Sequence, residues 1–192
     1  KLKTLRDFLS RKIRKAGPGF PEIPLDNVSA APEVFQRAYG NTTDRAVLLY
    51  AMLQRAGFEP EFLLVSSAPR LKKLQAPFRQ CPSPGYLGEV LVRVKSRGEP
   101  VYMNSLNQYH KLGTTAHDGK PGLLLSDGEV ITIQASQRKK TSRTSHYRIS
   151  LKANGNATLK QTKNFYGLSY GQNNKTYTEL TPHERKQRFQ EM

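Results

Sequence analysis

Covalent chemistry needs a nucleophile, a proton acceptor or a set of metal ligands at workable spacing. Few stretches of this chain offer one. The first is Gly40-Asn41-Thr42-Thr43-Asp44-Arg45, polar residues set directly before the apolar run Ala46-Val47-Leu48-Leu49-Tyr50-Ala51-Met52-Leu53. Groups at the start of such a helix lie at the positive end of its dipole, where negative charge is favoured. Cys81 is the sole cysteine, within Gln80-Cys81-Pro82-Ser83-Pro84-Gly85. No helix N-terminus is predicted beside it, and thiol activation needs an electropositive place of that kind. A single cysteine also excludes a disulfide framework and any multi-cysteine zinc site. His110 and His117 lie seven apart, near Asp118. That spacing fits no recognised helix or hairpin metal site, so no metal is expected. His146 and His183 read as surface residues. No Gly-rich phosphate loop occurs, and no cofactor is expected.

The elements that must position these groups follow from periodicity. Leu2, Leu5, Phe8, Leu9 and Ile13 recur at helical spacing and predict a helix over 2–15, stopped by Gly17-Pro18-Gly19 and followed by a connector through Pro21 and Pro24. A short helix is predicted over 32–39. The next begins at once: Asn41, Thr42 or Thr43 can cap it, and Asp44 stands in its first turn. Its body is apolar nearly all round to Gly57, which marks it as the buried central helix. Residues 62–65 read as a buried strand and the proline-rich stretch 66–88 as a long surface loop. Segments 89–94 and 101–105 form a predicted hairpin with Ser96-Arg97-Gly98 at its tip, and 123–125 and 130–133 another across Asp127-Gly128. Alternation resumes in Tyr147, Ile149 and Leu151, and Asn154-Gly155 turns the chain into 157–159. Thr181, Pro182 and Glu184 mark the start of a last helix, expected to be cut short from a longer protein. The order predicts an α+β fold: a domain over 1–135, with its central helix on an antiparallel sheet, then a small β extension over 136–192.

Charge is distributed unevenly. The net charge is +16, of which residues 1–16 carry +6, residues 133–192 carry +9, and the long middle only +1. Basic flanks attract polyanions at low salt, but a nucleic-acid reader concentrates basic residues and aromatics on its working surface. Here the core is nearly neutral and the excess sits on two flanks, so no specific nucleic-acid partner is expected. Residues 138–143 read as a solvated linker. No apolar run approaches the roughly 18 residues of a membrane span.

The pattern Gly40-Asn41-Thr42-Thr43-Asp44-Arg45-Ala46, then Leu48-Leu49, Met52-Leu53 and Gly57, resembles the core of the transglutaminase-like superfamily of papain-like cysteine enzymes. It is similar in particular to the bacterial module whose nucleophile motif is Gly-Asp-Cys-Lys-Asp. The lead-in Pro24-Leu25-Asp26-Asn27 and Ala31-Pro32-Glu33-Val34 matches too, and the resemblance spans about residues 1–132. The stretch from about 140 onward resembles the β extension that often follows the module.

In that family a Cys at the start of a buried helix attacks, a His on a following strand takes the proton, and an Asp on the next strand orients the His. The resemblance places the nucleophile position on Thr42, the His position on Glu89 (Glu89-Val90-Leu91-Val92) and the Asp position on Asn104 (Tyr102-Met103-Asn104-Ser105). A hairpin turning between Ser96 and Arg97 sets Glu89 directly opposite Asn104. All three reactive groups are replaced. A threonine hydroxyl needs a strong base, which an ionised Glu89 is not, and Asn104 cannot support a developing cation as a carboxylate does. For Thr42 the plain role is a helix cap. The expectation is a catalytically inactive domain that binds or scaffolds within a larger bacterial protein of the cell envelope or periplasm, or a secreted one. Its vestigial cleft of Thr42, Glu89 and Asn104 would hold a peptide, protein or carbohydrate, and other domains of the same polypeptide would be partners. The alternatives are an amide hydrolase or acyl transferase with an atypical nucleophile, and polyanion binding through the basic flanks.

Overall fold

Leu2, Leu9 and Ile13 share one face of the first helix and all three are buried, so α1 (Leu2–Lys12) is held by its apolar stripe. The computed structural model describes residues 1–20, 22–23, 25–104, 106–135 and 140–190. α1 is shorter than its periodicity predicts. Ile13 ends it, and Arg14–Lys15 leave as a two-residue strand, β1, paired in parallel with β2 (Tyr39–Gly40). Between them lies α2 (Ala31–Arg37), which buries Val34. Gly40 is required by space: a Cβ there would stand 2.9 Å from the Asp44 Cβ. Its absence lets β2 run straight into α3 (Thr42–Arg55). Leu48, Leu49 and Leu53 bury the central helix as expected.

Five antiparallel strands form the sheet, in the order β5-β4-β3-β6-β7. They are β3 (Pro60–Ser66), β4 (Leu87–Ser96), β5 (Glu99–Met103), β6 (Pro121–Leu124) and β7 (Val130–Thr132). Both faces are buried, which is why β3 reads as an unbroken apolar run rather than an alternating one. Leu64, Val90, Val92 and Met103 pack with α1 and α3, whereas Leu63, Val65, Leu91 and Ile133 form a second cluster. The fold is mixed α+β, a buried central helix against an antiparallel sheet, as predicted.

Two expectations are corrected. The stretch 66–88 is not all loop: Lys72–Gln80 forms α4, anchored by a fully buried Phe78. Pro77 lies inside this helix, which hid it; tertiary burial of one aromatic outweighs the lost backbone bond. The β4–β5 hairpin is also two residues out of the predicted register. Ser96 pairs with Glu99 and Val92 with Met103, closed by a two-residue turn at Arg97-Gly98, both at positive φ. Continuing this register puts Leu91, not Glu89, across from position 104.

Beyond the sheet, β8 (Ser142–Leu151) and β9 (Ala157–Tyr166) form a separate hairpin. Tyr147, Ile149, Leu151 and Leu159 lie along one face of it and are all exposed. It leads to α5 (Gly167–Glu179), a helix the sequence analysis does not predict because Gly, Ser, Asn and Thr dominate it. Tertiary contacts hold it. Asn174 donates to the Tyr109 carbonyl at 2.9 Å, the Tyr109 hydroxyl donates to Glu179, and Lys111 lies over the Tyr170 ring. α6 (Pro182–Gln190) opens with the predicted capping box of Thr181 and Glu184. Pro21, Pro24, Ser105 and residues 136–139, with which the expected second domain begins, lie outside the described residues.

Candidate functional site

The start of α3 is built by Asn41 and Asp44. The Asn41 side chain accepts from the Thr43 and Asp44 amides at 2.8 and 2.9 Å, and Asp44 accepts in return from the Asn41 amide. The other Asp44 oxygen accepts from the Ser29 amide at 2.8 Å, tying the lead-in loop to the helix. Thr42 is therefore not the cap. It is the first residue of the helix, buried, and its expected capping role belongs to Asn41, whose extended backbone lets the side chain fold over the free amides.

Thr42, Glu89 and Asn104 line one open cavity of about 540 Å³. Glu89 reaches it from an irregular part of β4: Leu64 pairs with Val90 but Ser66 with Leu87, so β4 spends one residue more than β3 across Gly88 and Glu89. A bulge of this kind re-aims side chains off strict alternation. Glu89 accepts or shares a hydrogen bond with His117 Nε2 at 2.8 Å, which fixes both side chains. Asn104 has left the strand, at φ 88°, and its amide donates to the Thr42 carbonyl at 2.8 Å and the Val90 carbonyl at 2.9 Å. It thus fastens α3 to β4 and no longer faces Glu89 across a ladder.

The remaining wall is cationic. Arg11, Lys12, Arg14 and Lys15 line the cavity from the end of α1 and from β1, and Arg45 from the first turn of α3. Burial pulls the Arg45 guanidinium below its ordinary pKa, and the Glu89 carboxylate opposes that shift. Arg45 Nε and Asn104 Oδ1 are buried atoms with no hydrogen-bond partner among the described residues. Sequence reasoning missed Arg45, although its place three residues after Thr42 puts both on one helix face. It also missed His117 as the partner of Glu89, because 28 residues separate them and only the fold closes that gap.

Chemically, the site presents a hydroxyl, a carboxylate and several cations. His117 meets the cavity through Glu89, its Nε2 2.8 Å from the carboxylate that lines the wall. A second cavity of about 520 Å³ is lined by chain neighbours of Thr42 and Glu89. Thr43 and Val90 line it, with Phe20, Val47 and Leu64, and its walls are almost wholly apolar. The Thr43 hydroxyl is buried there without a hydrogen-bond partner among the described residues.

The other candidates are scattered. Cys81 is exposed and caps the carboxyl end of α4. His110 is buried, with Nδ1 2.9 Å from Asn107 Oδ1 and its carbonyl accepting from Arg6; burial, then the Arg6 charge, push its pKa down. Asp118 accepts from the Ala135 amide at 2.7 Å. His110, His117 and Asp118 therefore serve three separate contacts. His146 and His183 are exposed on β8 and α6.

No protein-family model and no curated protein matches the chain. Its fold is similar to that of a putative protease from Parabacteroides distasonis, known from a crystal structure, with a TM-score of 0.50 at 19% identity. The likeness covers 79% of this chain but only 30% of that one. At this identity it shows the fold alone.

Proposed function

We propose that this chain is a catalytically inactive domain of the transglutaminase-like kind, serving as a binding or scaffolding module in a larger bacterial envelope protein. The observation that supports this is the state of the three family positions. Thr42, Glu89 and Asn104 share one cavity, as a reactive triad would, yet each is engaged in structure or lacks the needed chemistry. Thr42 opens a helix, Glu89 is held by His117, and both donors of Asn104 go to backbone carbonyls. None of the three is a thiol, and a threonine hydroxyl needs a stronger base than an ionised carboxylate to attack. The cavity that remains is large enough for part of an extended ligand. The exposed apolar row of Tyr147, Ile149 and Leu151, on a hairpin that is not part of the main sheet, supports a neighbour within a larger assembly.

Two measurements test the reading. Thermal-shift screening against peptides and glycans is expected to find a ligand whose affinity falls with Glu89→Ala; a ligand set indifferent to that change removes the cleft function. Incubation with peptide amides and acyl donors is expected to give no turnover. Turnover abolished by Thr42→Ala or by Cys81→Ser would establish an enzyme instead, and rapid alkylation of Cys81 near pH 7, ahead of a model thiol, would identify its nucleophile.

A further inference from the structure

We infer that the cleft takes an acidic peptide segment, docked in extended form along the free edge of β1, an assignment that rests on the cleft reading above. Two independent observations carry it. The first is charge. Five cationic side chains line the cavity (Arg11, Lys12, Arg14, Lys15 and Arg45), against the single carboxylate of Glu89, which His117 already engages. None of the five is in an ion pair or side-chain hydrogen bond among the described residues, although Glu89 acts on Arg45 at longer range. The wall is therefore a concentration of uncompensated positive charge, and carboxylates are its electrostatic complement.

The second observation is backbone. β1 is paired on one side only. Arg14 donates its amide to the Ala38 carbonyl and Ala16 donates to the Gly40 carbonyl, so both bonds point towards β2. The Lys15 amide and carbonyl lie on the opposite edge of the strand, with no backbone partner among the described residues. An unpaired strand edge is a template for another strand, and residues of the same segment line the cavity. Strand addition selects a polypeptide over a glycan, because a sugar chain has no regular row of amides to pair. The charged wall then selects acidic side chains on that polypeptide. Arg45 lines the cavity from the central helix, so its guanidinium adds a cation to which one carboxylate can bond.

The test uses the whole chain and fluorescence anisotropy with a labelled peptide of alternating Glu and Ser, about eight residues long at ~3.3 Å each. The expected result is binding that weakens about tenfold or more when Gln replaces each Glu, and by a similar factor when alternate peptide amides are N-methylated in one of the two registers. Arg14→Glu with Lys15→Glu should cost about tenfold or more, and Arg45→Gln, which leaves β1 intact, should also weaken binding. Lys160→Glu with Lys163→Glu, an equal change of charge at two exposed positions of β9, should leave affinity within about twofold. Equal losses from both charge reversals would mean generic polyanion attraction and overturn the assignment. So would undiminished binding of both N-methylated peptides, or preference for polygalacturonate over the acidic peptide. A neutral ligand whose binding depends on Glu89 would overturn the acidic-peptide assignment while leaving the cleft function standing. Indifference of every bound ligand to both Glu89→Ala and Arg45→Gln would remove the two together.

Discussion

The side-chain amide of Asn104 donates to the main-chain carbonyl of Thr42 at 2.8 Å, joining the end of β5 to the first residue of the central helix. Its second bond, to the Val90 carbonyl, completes a three-way tie. Both of its donors face acceptors, so a carboxylate in the same place would set oxygen against oxygen. N104D is accordingly expected to lower stability by about 1–3 kcal/mol at neutral pH. Part of the loss should return as pH falls and the new acid protonates to donate once. Urea midpoints at several pH values measure this; an unchanged midpoint would mean that the tie contributes nothing.

Thr43 offers the opposite case. Its hydroxyl is buried without a partner among the described residues, on the wall of the apolar cavity. Thr43→Val removes the desolvated hydroxyl and keeps the branched shape. Stability should be unchanged or rise by up to about 1 kcal/mol. A loss well beyond that, read from the same denaturation curves, would reveal a hydrogen bond to the hydroxyl.

His110 couples folding to pH. Burial, then the Arg6 charge, hold its folded pKa below the ordinary histidine value. The unfolded chain therefore binds the proton first as pH falls, and folding loses stability from about pH 6.5 downward, through the lowered folded value. At higher pH the contribution is fully present. Wild type should lose more stability than H110Q between pH 7 and the acid side of that window, a difference that urea titrations at each pH resolve.

The docking of α5 is set by the same ring. A Cβ at Gly171 would stand 2.0 Å from His110 Cδ2. Gly171→Ala should therefore destabilise the α5 contact by about 1–3 kcal/mol, and His110→Ala should relieve most of the clash. A double-mutant cycle reads the coupling directly, and additive effects would show that the two residues do not touch.

Ile149 is 65% exposed, in the middle of the apolar row on β8. Ile149→Lys should change stability by less than about 0.5 kcal/mol, because the side chain is already in water. Binding of an apolar dye to the chain should fall. A larger loss of stability would mean that the hairpin face is covered within the chain itself.

What the sequence settled, it settled through local signals. The apolar run after Asn41 and Asp44 defined a capped, buried helix, and Asp127-Gly128 and Asn154-Gly155 marked their turns. The apolar run at 62–65 marked a buried strand, which β3 is. Such features depend on neighbours a few residues away, and the chain carries them wherever it lies. Placing Thr42, Glu89 and Asn104 together came from likeness of pattern, and the shared cavity agrees with it.

Tertiary structure decided the rest. Hairpin register followed the positive-φ pair at Arg97-Gly98, not the symmetric turn read from the sequence, and the extra residue in β4 turned Glu89 into the cavity. Pro77 in α4 and the poor helix formers of α5 were overruled by burial of Phe78 and by contacts around Tyr109 and His110. The meeting of Glu89 with His117, and of the 11–15 cations with Arg45, depends on chain closure over long separations. Propensity and charge are properties of a segment, but whether two segments meet is fixed by the packing of everything between them.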